Sequence, residues 1–138
     1  MTGNYRHTID AKGRLFIPAK LREELGERFY VTKGLDNCLS LYSEKNWKEI
    51  EIQVAALPLA RSRNLQRMLF ANASVCELDG QGRIVISPPL RVYAGLEKDV
   101  TVIGVSNRAE IWDSARWESI ADGMSSEMLA EEMDQLGF

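Results

Sequence analysis

Asp10, Gly13 and Arg14 return sixty-nine residues later as Asp79, Gly82 and Arg83, within the segments Asp10-Ala11-Lys12-Gly13-Arg14 and Asp79-Gly80-Gln81-Gly82-Arg83. An aspartate followed three residues later by glycine is turn chemistry. The carboxylate accepts hydrogen bonds from turn amides, and glycine takes the positive φ that a tight turn demands. A turn does not require the arginine. Its planar guanidinium can close an ion pair on the aspartate four residues before it, or offer a bidentate fork to DNA phosphates and guanine edges. Both roles can hold at once, and the second would use Arg6, Lys12, Lys20 and Arg22 as neighbouring phosphate contacts.

Other chemistries have less support. His7 is the one histidine, and neither a second histidine nor a cysteine stands at metal-ligand spacing from it, so no metal site is expected. The chain has no glycine-rich phosphate loop, and no serine or cysteine in a recognisable nucleophile context. Asp10 and Lys12 could form an acid–base pair, but turn chemistry accounts for them. Cys38 and Cys76 occupy non-equivalent places in the repeat and are expected to be small buried thiols.

The repeat extends beyond the two turns. Between residues 10 and 32 there are nine identities at the same offset, including Leu21 with Leu90, Arg22 with Arg91, Gly26 with Gly95 and Thr32 with Thr101. One inserted residue then aligns Asn37 with Asn107, Trp47 with Trp117 and Ile50 with Ile120. Two copies point to tandem domains, since a solenoid needs about three or more repeats. At 138 residues in total, each unit is small for an independent core, so the halves are expected to pack together or to oligomerise.

The hydrophobic content of 45% and charged content of 27% are ordinary for a globular protein, and no apolar run approaches the ~20 residues of a membrane helix. The start of the chain lacks the apolar stretch of a secretory signal, and a cytoplasmic location is expected. The net charge of −3 conceals a polarity along the chain. Residues 1–22 carry five lysines and arginines against Asp10 alone, whereas residues 110–138 carry eight carboxylates against Arg116. A basic region remote from an acidic tail is compatible with a localised nucleic-acid footprint.

Period and punctuation supply the elements that would position these groups. Tyr5, His7 and Ile9 alternate with polar residues and Leu15-Phe16-Ile17 comes after the turn, which predicts a β-hairpin across Lys12-Gly13. Pro18 opens a short helix through Leu25, Pro88 and Pro89 open its counterpart toward Ala94, and Gly26 and Gly95 end the two. Phe29–Thr32 with Leu39–Tyr42, and Val100–Ile103 with Ala109–Trp112, predict further hairpins turned near Asn37 and Asn107. Ser43 and Asp113 are N-caps for helices whose apolar positions are Trp47, Ile50, Val54 and Leu57, or Trp117, Ile120 and Met124. A connecting helix is predicted over residues 58–70.

The chain resembles the MraZ family of bacterial transcriptional regulators, built from two tandem domains of the AbrB/SpoVT swapped-hairpin type. The resemblance is carried by Gly3-Asn4-Tyr5-Arg6-His7-Thr8-Ile9-Asp10-Ala11-Lys12-Gly13-Arg14, Ile17-Pro18-Ala19-Lys20, Glu77-Leu78-Asp79-Gly80-Gln81-Gly82-Arg83 and Val102-Ile103-Gly104-Val105-Ser106-Asn107-Arg108. It implies an α+β fold of two β-β-α-β-β units packed as a pseudo-symmetric double-split β-barrel with flanking helices. On this reading 4–47 and 73–117 are the two domains, 48–72 a helical connection, and 118–138 an acidic helix or tail. It also implies a cytoplasmic, nucleoid-associated protein that forms ring-shaped homo-oligomers. Its partner would be double-stranded DNA, at short direct repeats in the promoter of the division and cell-wall gene cluster. Enzyme activity, cofactor, membrane and small-molecule substrate are absent from that picture. By position, the DNA-contacting arginine falls on Arg14 and its second-motif equivalent on Arg83, with Lys12 beside the former; Gln81 makes the second motif less basic. Two other readings stay open: an antitoxin-like protein with a toxin partner, and a ring without DNA affinity in which Arg14 merely pairs with Asp10.

Overall fold

The computed structural model describes all 138 residues. The first half contains β1 (Asn4–Thr8), β2 (Arg14–Phe16), α1 (Ala19–Leu25), β3 (Arg28–Lys33), β4 (Leu39–Ser43), α2 (Glu44–Ala55) and α3 (Leu59–Phe70). The second contains β5 (Ser74–Glu77), β6 (Arg83–Val85), α4 (Pro88–Ala94), β7 (Asp99–Val105), β8 (Arg108–Asp113), α5 (Ser114–Asp122) and α6 (Ser126–Gln135). The protein is α+β, with a six-stranded sheet ordered β1-β7-β8-β4-β3-β5 and a two-stranded ribbon of β2 and β6. Every strand pairing is antiparallel.

The hairpin expected between β1 and β2 does not form as such. Its turn closes, with Gly13 N–H donating to Asp10 C=O at 3.0 Å and Asp10 N–H to Arg14 C=O at 3.1 Å, but the two strands then part. β1 pairs with β7, Tyr5 opposite Val102, and β2 pairs with β6, Leu15 opposite Ile84. β5 likewise leaves β6 and joins β3, Phe29 opposite Cys76. The physical reason is burial: a three-residue strand carrying Leu15 cannot hide it within one small unit, whereas exchange between the repeats closes both ribbons over a common interior. The β3–β4 and β7–β8 hairpins do form, the former across a short 3-10 turn at Leu35–Asn37.

One core of 19 residues serves both halves. Ile9, Leu15, Ile17, Leu21 and Leu25 from the first unit meet Ile84, Ile86, Leu90, Ala94 and Leu96 from the second. Helix boundaries track their caps. The Ser43 hydroxyl accepts from Asn46 N–H to start α2, the Asp113 carboxylate accepts from Arg116 N–H to start α5, and Gly95 closes α4 in the left-handed region at φ 65°. α2 buries Trp47 and Val54 but leaves Leu57, expected on its apolar face, beyond its end and exposed. α3 lies over β3, where Trp47 stacks on Tyr30 at 4.8 Å and meets Phe70 edge-on at 5.5 Å. No helix is long and apolar enough to cross a membrane.

Candidate nucleic-acid interface

Each Asp-x-x-Gly-Arg turn is built the same way. The Asp10 carboxylate accepts from the backbone N–H groups of Lys12 and Arg14 at 3.0 and 2.9 Å, and from Arg14 Nε at 2.6 Å. Asp79 does the same with Gln81 N–H, Arg83 N–H and Arg83 Nε, at 2.8, 2.9 and 2.8 Å. These hydrogen bonds, above all from the backbone N–H of the arginine, hold both carboxyls below the usual carboxylate range. The ion pair and a recognition role are therefore not rivals. The aspartate engages Nε, and neither Nη atom of Arg14 or Arg83 takes part in a hydrogen bond or ion pair, so both remain free to donate.

Strand exchange then brings the two turns together. In the β2–β6 ribbon Leu15 and Ile84 point into the core, so Arg14 and Phe16 share the opposite, outward face with Arg83 and Val85. Arg14 lies opposite Val85 and Arg83 opposite Phe16, which makes the two arginines diagonal neighbours, with Cα atoms roughly 7–8 Å apart. Arg83 leans over the Phe16 ring at 5.8 Å, and its side chain is only 21% exposed against 37% for Arg14. Arg14 is the more available of the pair.

The remaining predicted residues divide. Lys12 and Lys20 are exposed and carry no ion pair. Arg6 points outward from β1 and meets Glu118 of α5 at 3.2 Å. Arg22 lies beneath the second turn, its guanidinium against Gly82, and its Nε is buried without a partner. Arg91, its repeat equivalent, lies under the first turn. Its guanidinium is 3.1 Å from where a Cβ on Gly13 would stand, its Nη1 donates weakly to Ala11 C=O at 3.5 Å, and its Nε is also unpartnered.

Each turn is thus floored by an arginine of the other repeat. Sequence reasoning did not assign Arg91 or Phe16 to the site. The Arg22–Arg91 identity was the available signal, but only tertiary structure shows that the two cross over. Cys38 and Cys76 are buried free thiols, as expected, each pushed up to about 12 by burial.

A duplicated α+β unit with exchanged strands, presenting two arginine-tipped turns on one ribbon face, defines the class of protein. The chain belongs to the MraZ family. The family model described as "MraZ protein, putative antitoxin-like" matches residues 1–67 and again 69–136. The chain is similar to proteins named "Transcriptional regulator MraZ" from Acetivibrio thermocellus and from a Thermoanaerobacter species. It is 52% identical to each, over 98% of this chain and 97% of the first protein, and 99% and 98% for the second. A third protein of that name, from Moorella thermoacetica, is 52% identical over 95% of this chain and 94% of its own.

Proposed function

We propose that the chain is a sequence-specific, double-stranded DNA-binding transcriptional regulator without catalytic activity. The carrying observation is the β2–β6 ribbon, which presents Arg14 and Arg83 side by side with their Nη atoms free. A two-stranded ribbon fits the major groove, where guanine offers two acceptors to a guanidinium fork. Arg14 is the principal contact and Arg83 a weaker one. Unpaired Lys12 and Lys20 supply the surrounding positive field, with smaller contributions from Arg6, which is paired with Glu118, and from Arg22 beneath the second turn, while Asp10, Gly13, Asp79 and Gly82 hold the turns. The relatives' name supports the regulatory part of this reading.

In the whole protein, units 4–47 and 73–117 pack as a pseudo-symmetric double-split barrel, with 48–72 connecting them and 118–138 after the second. Copies assemble into a ring, and several ribbons engage repeated boxes in the promoter of the division and cell-wall gene cluster, on the nucleoid. Linked weak contacts raise avidity by roughly 10²–10⁴ when geometry allows simultaneous engagement, which suits a repeated operator. The test is a gel-shift titration of wild type and Arg14→Ala on the DNA upstream of the chain's own gene, with size-exclusion chromatography of both. Loss of the specific shift with assembly intact is expected. Wild-type affinity in the variant would remove Arg14 from the interface. An antitoxin-like role, suggested by the family's description, predicts instead a small protein partner that copurifies with the full chain.

A further inference from the structure

Beyond their second hairpins the two repeats differ. In the first, α3 is seated: Thr32 Oγ1 donates to Leu69 C=O at 2.5 Å, and Phe70 packs edge-on to Trp47. In the second, the equivalent Thr101 hydroxyl is satisfied by Ser114 at 2.8 Å, and every residue of α6 is exposed. α6 is nonetheless a properly capped helix, with Ser125 Oγ accepting from Met128 N–H at 3.2 Å. Its Leu129 and Met133, with Leu136 at its C-cap, recur at i, i+4 and i+7 and form an apolar stripe without a floor, with exposed Met128 beside it. Ten residues of isolated helix are marginal in water, so this segment needs a surface to be stable.

A matching surface stands on the solvent side of α3. Leu65 and Met68 are exposed there with Arg61 at the same i, i+4, i+7 spacing, and exposed Ile52 and Leu57 lie on α2 and at its end. Charge completes the match. α3 carries Arg61, Arg63 and Arg67 and no carboxylate, whereas α6 carries Glu127, Glu131, Glu132 and Asp134 and no cation. None of the three arginines is in an ion pair.

We infer that α6 of one copy docks by its Leu129–Met133–Leu136 stripe on the Arg61–Leu65–Met68 face of the α2–α3 pair in a second copy of this chain. Such a contact is head-to-tail, since tail and groove are different surfaces. Repeated from copy to copy, it makes a ring when the rotation between neighbours closes, which is what the ring-forming reading requires. The α6 carboxylates steer the encounter and the apolar stripe supplies the burial. The inference rests on the ring-forming reading above and names the surface through which copies join.

Charge reversal in trans tests it on the full chain, by sedimentation velocity with circular dichroism to check folding. Glu131→Arg/Glu132→Arg/Asp134→Arg reverses the tail, and Arg61→Glu/Arg63→Glu/Arg67→Glu reverses the groove. Each variant alone should lose the wild-type oligomer, and an equimolar mixture should recover it, because the reversed tail then fits the reversed groove and the native tail the native one. Wild-type assembly in both single variants would overturn the inference while leaving the ring reading intact. Failure of the mixture to reassemble two folded variants would also overturn it. A monomeric wild type would overturn the ring reading itself, and this inference with it.

Discussion

At the scale of single residues, the turns are held by the same groups that prepare the arginines. Asp10 and Asp79 are kept below the ordinary carboxylate range by the arginine backbone N–H groups and the guanidinium Nε, so the ionised form is the one that fits the fold. A depressed carboxyl contributes stability that is complete above its unfolded value of about 3.9 and is lost as pH falls through the lower folded value. Carboxyl-carbon NMR should find both midpoints below that of an unstructured aspartate; midpoints at or above it would mean that the turn hydrogen bonds are not kept in solution. Gly82→Ala should cost about 1–3 kcal/mol, because φ is +79° and the new methyl would strike the Arg22 guanidinium. Gly80→Ala, facing open space, should stay within about 0.5 kcal/mol of wild type. Equal urea midpoints for the two would argue against the arginine floor. The buried thiols of Cys38 and Cys76 should resist a thiol reagent at neutral pH in the native protein and react fully once unfolded.

At the scale of elements, the turn was legible in the sequence and the fate of its strands was not. Asp10, Gly13 and the alternation around them specify a tight reversal, and the reversal is there. The pairing partner is chosen by the apolar faces that must be covered, a property of the two repeats together. β1 and β2 each found a better-buried partner in the second repeat than in each other. Leu15 and Ile84, directly opposite and almost wholly buried, therefore form the seam of the molecule. Leu15→Ala should cost about 2–5 kcal/mol in denaturant unfolding. Its effect and that of Ile84→Ala should be non-additive by about 0.5–3 kcal/mol, as expected of residues in contact. Strict additivity would count against the exchanged ribbon. The terminal helices were less legible: α3 and α6 have similar apolar spacing, and nothing local says that one is seated and the other bare.

At the scale of the whole molecule, charge is separated by position rather than by total. The net value of −3 would by itself disfavour polyanion binding. The ribbon nevertheless presents Arg14 and Arg83 beside Lys12, whereas the carboxylates concentrate after residue 110. DNA affinity should therefore depend steeply on salt, with log K falling by about 0.9 per decade of salt for each phosphate neutralised. Arg14→Ala should cost more affinity than Arg83→Ala. A good bidentate base contact is worth about 1–3 kcal/mol, and Arg83 is partly spent on the Phe16 ring. Fluorescence-anisotropy titrations across salt concentrations check both statements, and a flat response would exclude an electrostatic interface.

The sequence by itself determined the duplication, the turn chemistry, the caps of α1, α2, α4 and α5, and the candidate arginines, because these depend on residue types a few positions apart. It also held the identity of Arg22 with Arg91 without its meaning. The resemblance to swapped-hairpin domains implied an exchange, but tertiary structure alone decided which strands cross between repeats, that each turn rests on the other repeat's arginine, and that Arg14 and Arg83 share one face. Those outcomes arise from burying Leu15 and Ile84 against each other, a contact between residues 69 positions apart that no local pattern can specify.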